Sequence, residues 1–221
     1  MYKSLIYKEW IKTRSTITLL AAVFLAAGIY SFMKTGEEIR LTGMISFWDT
    51  LIQKGINFFT YYKYMPLSLG ILTAITQYIP EIQQKRLKLT LHLPMPETRI
   101  IITMLLYGLA VTIIFSVITI AVLLSGLSVS FPREIIRLTF WFILPWFLAS
   151  PAGYLLAAWI IIEPKPHIRI LCAVPSAAAM SFFFFNAKAG AMQPFIIYLA
   201  IFTIILILFP LYSITRFKEG K

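Results

Sequence analysis

Long apolar runs separated by short polar stretches dominate the pattern of hydrophobic and polar positions along this chain. At 1.5 Å per helical residue, about 20 apolar residues cross the ~30 Å core of a bilayer. The runs predict transmembrane helices at 16–34, 60–80, 100–125, 134–162, 168–186 and 194–214. The pattern therefore predicts an all-α membrane protein whose six transmembrane helices form one transmembrane domain, 1–221.

The segments beside these spans carry their own patterns. Residues 1–15 place apolar side chains at helical spacing with basic residues elsewhere around the helix, which predicts a helix in the membrane interface. We expect residues 35–59 to form an external segment that includes a short amphipathic helix. We expect the second span to close at Pro80. The fourth apolar run is long enough to reach roughly 43 Å and contains two prolines, so we expect a tilted or broken helix there.

Composition supports the membrane class. Of 221 residues, 59% are hydrophobic and 13% are charged, whereas soluble domains have roughly 45–50% and about 25%. The net charge of +11 reflects basic residues beside the spans and gives no reason to expect a nucleic-acid partner. The segments on the side of the termini hold 13 of the 20 basic residues. The positive-inside rule therefore places both termini in the cytoplasm of a multi-pass protein of the cell (inner) membrane.

Several kinds of chemistry are absent from the sequence. The central thirds of the predicted spans contain no ionisable residue, which disfavours a proton-coupled carrier. The chain has no P-loop and no H-E-x-x-H motif, and its single cysteine and two isolated histidines predict no metal site. We therefore expect no catalytic residue, no ATPase site and no cofactor in this chain.

The stretch 80–99 is the most informative polar segment. It interleaves basic residues with evenly spaced leucines and ends at two prolines. A short amphipathic helix of this kind either lies on the lipid surface or docks into a groove of a partner protein.

This stretch resembles the segment after the second span of ABC-2 type transporter permeases. The matching residues are Glu81, Arg86, Leu89, Leu93, Pro94, Arg99 and Ile101. The N-terminal segment, the six spans and the cytoplasmic termini are also similar to that family, although residues 186–193 are too short for its usual re-entrant hairpin. The resemblance implies a coupling helix that docks on an ABC ATP-binding subunit, where ATP and Mg²⁺ are bound. The implied coupling residues are Glu81, Lys85, Arg86, Leu87, Leu89, Leu93, Pro94 and Arg99.

Permeases of this length resemble half-transporters, so the resemblance implies a second copy or a sister permease subunit. Small residues at every fourth position allow close helix approach, either within the chain or at a subunit interface. The candidate interface residues are Ala149, Gly153 and Ala157. Candidate residues for a substrate path through the dimer are Tyr61, Tyr64, Gln77, Tyr107, Trp141 and Trp146.

The resulting functional hypothesis is the permease subunit of an ATP-driven exporter of an amphipathic or lipid-like substrate. The alternative is the membrane capture subunit of a vitamin-uptake system, with Asp49, Gln53 and Asn57 as external polar groups. A capture subunit does not require the 80–99 stretch. A non-transporting assembly or signalling subunit is a third possibility.

Overall fold

A computed structural model describes residues 2–43, 59–83, 97–129, 131–185 and 193–219. These residues form α-helices joined by short 3₁₀ turns, and no strand occurs among them. The helices are α1 (Tyr2–Thr42), α2 (Met65–Gln83), α3 (Glu97–Ser128), α4 (Arg133–Ile162), α5 (Pro166–Ser181), α6 (Ile196–Ile205) and α7 (Leu208–Glu219). The 3₁₀ turns are Thr60–Tyr62, Phe182–Phe184 and Gln193–Phe195.

Five helical stretches within the described residues are long and apolar enough to cross a membrane, which is consistent with a multi-pass membrane protein. They are Tyr2–Leu41, Arg99–Ser128, Arg133–Ile162, Pro166–Phe184 and Gln193–Ser213. Helix α2, at the predicted second span, is not among them because it carries several polar residues. The count of six spans therefore stays a prediction.

Helix α4 lies at the centre of the bundle. In its most apolar window 72% of the residues are buried, compared with 22% to 28% in the other four stretches. Helix α2 packs along α4, and at Gly70 it approaches so closely that a Cβ atom would overlap the backbone carbonyl of Ser150. Because protein rather than lipid surrounds much of α2, its polar side chains can be paired inside the bundle.

Helix α1 is continuous from Tyr2 to Thr42, so the predicted boundary between an interfacial helix, 1–15, and the first span is absent. The reason lies in its buried stripe, in which Leu5, Glu9, Thr13 and Leu20 keep one face of the helix against the bundle. Helix α1 also contains the first residues of the predicted external segment 35–59. Residues 44–58, with the predicted amphipathic helix, lie outside the described residues.

The prolines act differently from the sequence prediction. Helix α2 continues through Pro80 to Gln83, and α4 is unbroken although Pro145 and Pro151 lie inside it. Both prolines of α4 are buried, so packing on every side offsets the lost backbone hydrogen bonds. The last predicted span is interrupted instead, because α6 ends at Ile205 and α7 begins at Leu208. Pro210 lacks the N–H that would bond to Leu206, which explains a break at this place.

Candidate functional site

Two buried carboxylates and a partly buried ammonium group join the beginning of α1 to the end of α2. The Lys12 ammonium lies 2.7 Å from Oε1 of Glu9 and 2.5 Å from Oε1 of Glu81. Lys8 contributes a second cation, 2.9 Å from the same Glu81 oxygen. Both carboxylate side chains are fully buried, whereas 13% of the Lys12 side chain is exposed. We call Lys8, Glu9, Lys12 and Glu81 the charge clamp.

Helical spacing explains how the sequence builds the clamp. Leu5, Glu9 and Thr13 follow one another at intervals of four, which places them on the buried face of α1. The Thr13 hydroxyl donates to the Glu9 carbonyl and also shares a 2.7 Å hydrogen bond with the Tyr107 hydroxyl of α3. The clamp face of α1 is thus attached to α3 as well as to α2.

The charges of the clamp compensate one another. Two carboxylates face two ammonium groups, and Lys12 is shared between both acids. Glu81 lies beyond the predicted second span. Burial alone would raise its pKa, but hydrogen bonds and charge attraction from Lys12 and Lys8 lower it below its ordinary value. Removing one partner of such a pair leaves an uncompensated buried charge, which typically costs about 3–5 kcal/mol.

Oε2 of Glu9 is buried and has no hydrogen-bond partner among the described residues. The direct ion pair of this carboxylate therefore acts through Oε1 and Lys12. The position of Glu9 depends on Lys12 more than that of Glu81 does, since Glu81 also contacts Lys8.

A neutral hydrogen-bond network connects α2 to α3 and α4 close to the clamp. The Gln77 side-chain amide donates to the backbone carbonyl of Met104 at 2.7 Å and accepts from the Tyr154 hydroxyl at 2.9 Å. The Tyr78 and Tyr154 hydroxyls are 3.1 Å apart. The clamp and this network together join α1, α2, α3 and α4.

A second polar contact joins the residue after α4 to α7. The Ser213 hydroxyl donates to Oε2 of Glu163 at 2.5 Å, and the Arg169 guanidinium donates to the Glu163 backbone carbonyl at 2.8 Å. These bonds tie the turn between α4 and α5 to the C-terminal helix. No sequence motif marks these residues as a site.

Most of the predicted coupling residues lie outside the described part of the chain. These are Lys85, Arg86, Leu87, Leu89, Leu93 and Pro94. Of the other two, Glu81 is buried in the clamp and Arg99 is exposed in the first turn of α3. The structure thus describes the helices on both sides of the predicted coupling segment and shows that the preceding one is held by ion pairs.

The predicted path residues do not line one common space within a single chain. Gln77 lies in the buried network, and Tyr107 contacts Thr13. Tyr61 and Tyr64 are exposed, with their rings 5.0 Å from those of Tyr30 and Phe184 respectively. Trp141 is half-buried beside Phe140, and Trp146 is buried beside Phe142. A path formed between two subunits stays a prediction.

The small-residue stripe of α4 packs inside the chain. Ala149 is fully buried, and a Cβ atom at Gly153 would lie 2.6 Å from the Leu67 side chain of α2. This corrects the interface prediction for both residues, because a buried surface is not available to a second chain. Ala157 is half-buried and also packs against the core.

Lys8, Glu9 and Lys12 are not predicted as site residues, because membrane topology alone explains the basic residues of the N-terminal segment. The signal that could have indicated the site is Glu9, an acidic residue in a basic segment. It lies four residues after Leu5 and four residues before Thr13. Within the described residues, no three His, Cys, Asp or Glu side chains come together in a group that could hold a metal ion. No protein-family model matches the chain, and comparison with curated proteins and with solved structures likewise gives no match.

Proposed function

We propose that this chain is the transmembrane permease subunit of an ATP-driven ABC transporter whose energy comes from a separate ATP-binding subunit. The observation that carries the proposal is the charge clamp at Glu81. It fixes the end of α2, directly before the leucine-rich basic segment, to the N-terminal part of α1.

The clamp suits a chain that must transmit a movement from a soluble partner into the membrane. A force on residues 84–96 acts first on the last turn of α2, where Glu81 is bound by Lys12 and Lys8. The network at Gln77 lies one turn further along the same helix and reaches α3 and α4. The described contacts therefore offer a short mechanical connection from the predicted coupling segment to four helices.

The proposed transporter is an exporter of an amphipathic or lipid-like substrate, since the predicted spans offer no ionisable group at their centres for a charged solute. ATP and Mg²⁺ are bound by the partner subunit, and two permease chains form the membrane part. The charge bias places the clamp at the cytoplasmic face of the cell membrane. The proposed docking of the partner subunit and the proposed transmission of its movement both depend on the same end of α2.

Alanine substitutions in the coupling segment test this function. Buried apolar anchors hold most of the binding energy of an interface, and rim charges contribute less. We expect Leu87→Ala or Leu89→Ala, whichever faces the partner, to lower ATP-binding-subunit affinity by more than ~1 kcal/mol. Lys88→Ala should cost less. Co-purification of the subunit and ATP turnover in membranes measure both effects.

Glu81→Gln tests transmission separately from docking. We expect it to impair the coupling of ATP turnover to transport more than assembly, because Glu81 faces α1 rather than the partner. Glu37→Gln, which alters an exposed pair with Lys34, is the matched control. Normal binding and ATPase stimulation in every variant of the 80–99 stretch would contradict the proposal and favour the capture-subunit alternative.

A further inference from the structure

An apolar groove runs between α1 and α3 on the surface of the bundle. Its volume is about 430 Å³, within the ~300–1,000 Å³ range of small-molecule sites. It extends along α1 from Ile17 to Phe32, and Phe115 and Val122 are among the residues that α3 contributes. Both walls belong to helices that are apolar enough to cross a membrane, so the groove opens toward lipid.

The two hydroxyl-bearing residues of the groove offer an occupant no free donor. The Tyr62 hydroxyl donates to the Phe24 carbonyl, and the Thr119 hydroxyl donates to the Phe115 carbonyl at 2.9 Å. Because these protons are already used within the protein, the walls favour a hydrocarbon occupant.

The groove is long. The 15-residue interval from Ile17 to Phe32 corresponds to about 22 Å of helix. Half of a ~30 Å bilayer core is about 15 Å, so a lipid acyl chain from one leaflet fits within this length. Gly28 deepens the groove, since a Cβ there would lie 2.9 Å from the Tyr62 hydroxyl oxygen.

The charge at the two ends of the groove differs. The residues of α1 that line the groove form one stripe of the helix, which we call the groove stripe. Beyond Ile17, this stripe continues toward the N-terminus through Arg14, Trp10 and Lys3, at successive helical intervals of three, four and seven residues. Arg14 and Lys3 are exposed and form no ion pair with the described residues. At the other end, Lys34 is bound by Glu37 at 2.8 Å. Along the groove stripe of α1, the exposed basic residues that form no ion pair with the described residues thus lie at the N-terminal end, since Arg40 at the other end lies off this stripe.

We propose that this groove binds one anionic phospholipid of the leaflet on the N-terminal side. An acyl chain fills the space between α1 and α3, and the phosphate contacts the Arg14 guanidinium, with the Trp10 ring at headgroup level. The occupant is a resident lipid of the membrane, and the inference does not depend on the transport function proposed above.

Native mass spectrometry of the full chain tests this site, using phosphatidylglycerol and phosphatidylcholine with identical acyl chains. We expect one phosphatidylglycerol to bind at least about tenfold more tightly than phosphatidylcholine, as a charge-assisted contact allows. Ala21→Phe places a ring in the groove, and Arg14→Gln removes the phosphate contact. Ala26→Phe, on an exposed face of α1 outside the groove, and Arg40→Gln, at the opposite end, are matched controls.

The proposal requires both test variants to lose most of the selective binding while both controls keep it. Arg14 is exposed, so Arg14→Gln leaves the fold intact even if Ala21→Phe does not. Equal affinity for both lipids, or equal effects of test and control variants, overturns the proposal. Loss of a dimer peak in Ala21→Phe, with lipid binding unchanged, assigns the groove to a second copy instead and also overturns it.

Discussion

Lys12→Met removes the cation that both buried carboxylates of the clamp share. The methionine keeps most of the side-chain volume but removes the ion-pair partner of Glu9 at 2.7 Å and one of the two cations that contact Glu81. Breaking a buried pair from one side costs about 3–5 kcal/mol. For a chain of this size, 1 kcal/mol corresponds to roughly 2–4 °C in Tm, so we expect Tm to fall by roughly 6–20 °C.

The matched control is Lys34→Met. Lys34 pairs with Glu37 at 2.8 Å with the same three-residue spacing as Lys12 and Glu9, but both partners are exposed. Exposed pairs contribute about 0–1 kcal/mol, so Tm should change little. Thermal unfolding of both variants in lipid nanodiscs, followed by circular dichroism, measures the difference.

A double variant distinguishes the lost attraction of the ion pair from the cost of leaving a buried carboxylate uncompensated. In Lys12→Met combined with Glu9→Gln, the carboxylate that depends most on Lys12 is neutral, so part of the lost stability should return. If Lys12→Met lowers Tm no more than Lys34→Met does, the clamp is not a buried ion-pair cluster and the reasoning is refuted.

Three further predictions concern other features. Gly70→Ala should lower stability by about 1–3 kcal/mol, because its Cβ would overlap the Ser150 carbonyl. The control Gly36→Ala, with open space around the new Cβ, should be neutral or slightly stabilising. Equal Tm values for both variants would contradict the close contact of α2 and α4. The stability difference between the wild type and Glu81→Gln should be present above the ordinary carboxyl pKa of 4.5 and disappear as the pH falls through the lowered pKa of folded Glu81. Urea-unfolding curves at several pH values measure this difference. If it persists unchanged at acidic pH, the effect comes from packing. In a Cys172→Ser background, cysteines at positions 45 and 190 should react with an impermeant thiol reagent added outside intact cells, and a cysteine at position 86 should not. Reaction only at position 86 would show that the topology is the reverse of the predicted one.

Hydrophobicity alone predicted most of the helices, because a membrane span requires a long apolar run wherever its neighbours lie. Their ends were less predictable. The amphipathic pattern of residues 2–15 is the same for a separate interfacial helix and for the first turns of a longer one, and only the packing of Leu5 and Glu9 distinguishes them. Pro145 was predicted to disturb α4, but burial at the centre of the bundle holds that helix together.

The candidate site was only partly visible in the sequence. Glu81 was identified from its place in the motif, whereas its partners Lys8 and Lys12 are far away along the chain and carry no local sign of pairing. Gln77 was predicted to line a path, but it bonds to the Met104 carbonyl inside the bundle. In the sequence, a polar residue of a span looks the same whether it lines a path or forms a hydrogen bond inside the bundle. Only the tertiary contacts distinguish these two roles.

The polarity of α2 has a consequence for the biogenesis of this protein. Helix α2 is synthesised before α4, yet it is less apolar than the five stretches that could cross a membrane, and its Gln77 and Tyr78 side chains are hydrogen-bonded by α3 and α4. A nascent α2 released alone into lipid would leave these polar groups unpaired. Its membrane integration therefore depends on segments that leave the ribosome later, and the bundle is completed around α4 rather than helix by helix in chain order.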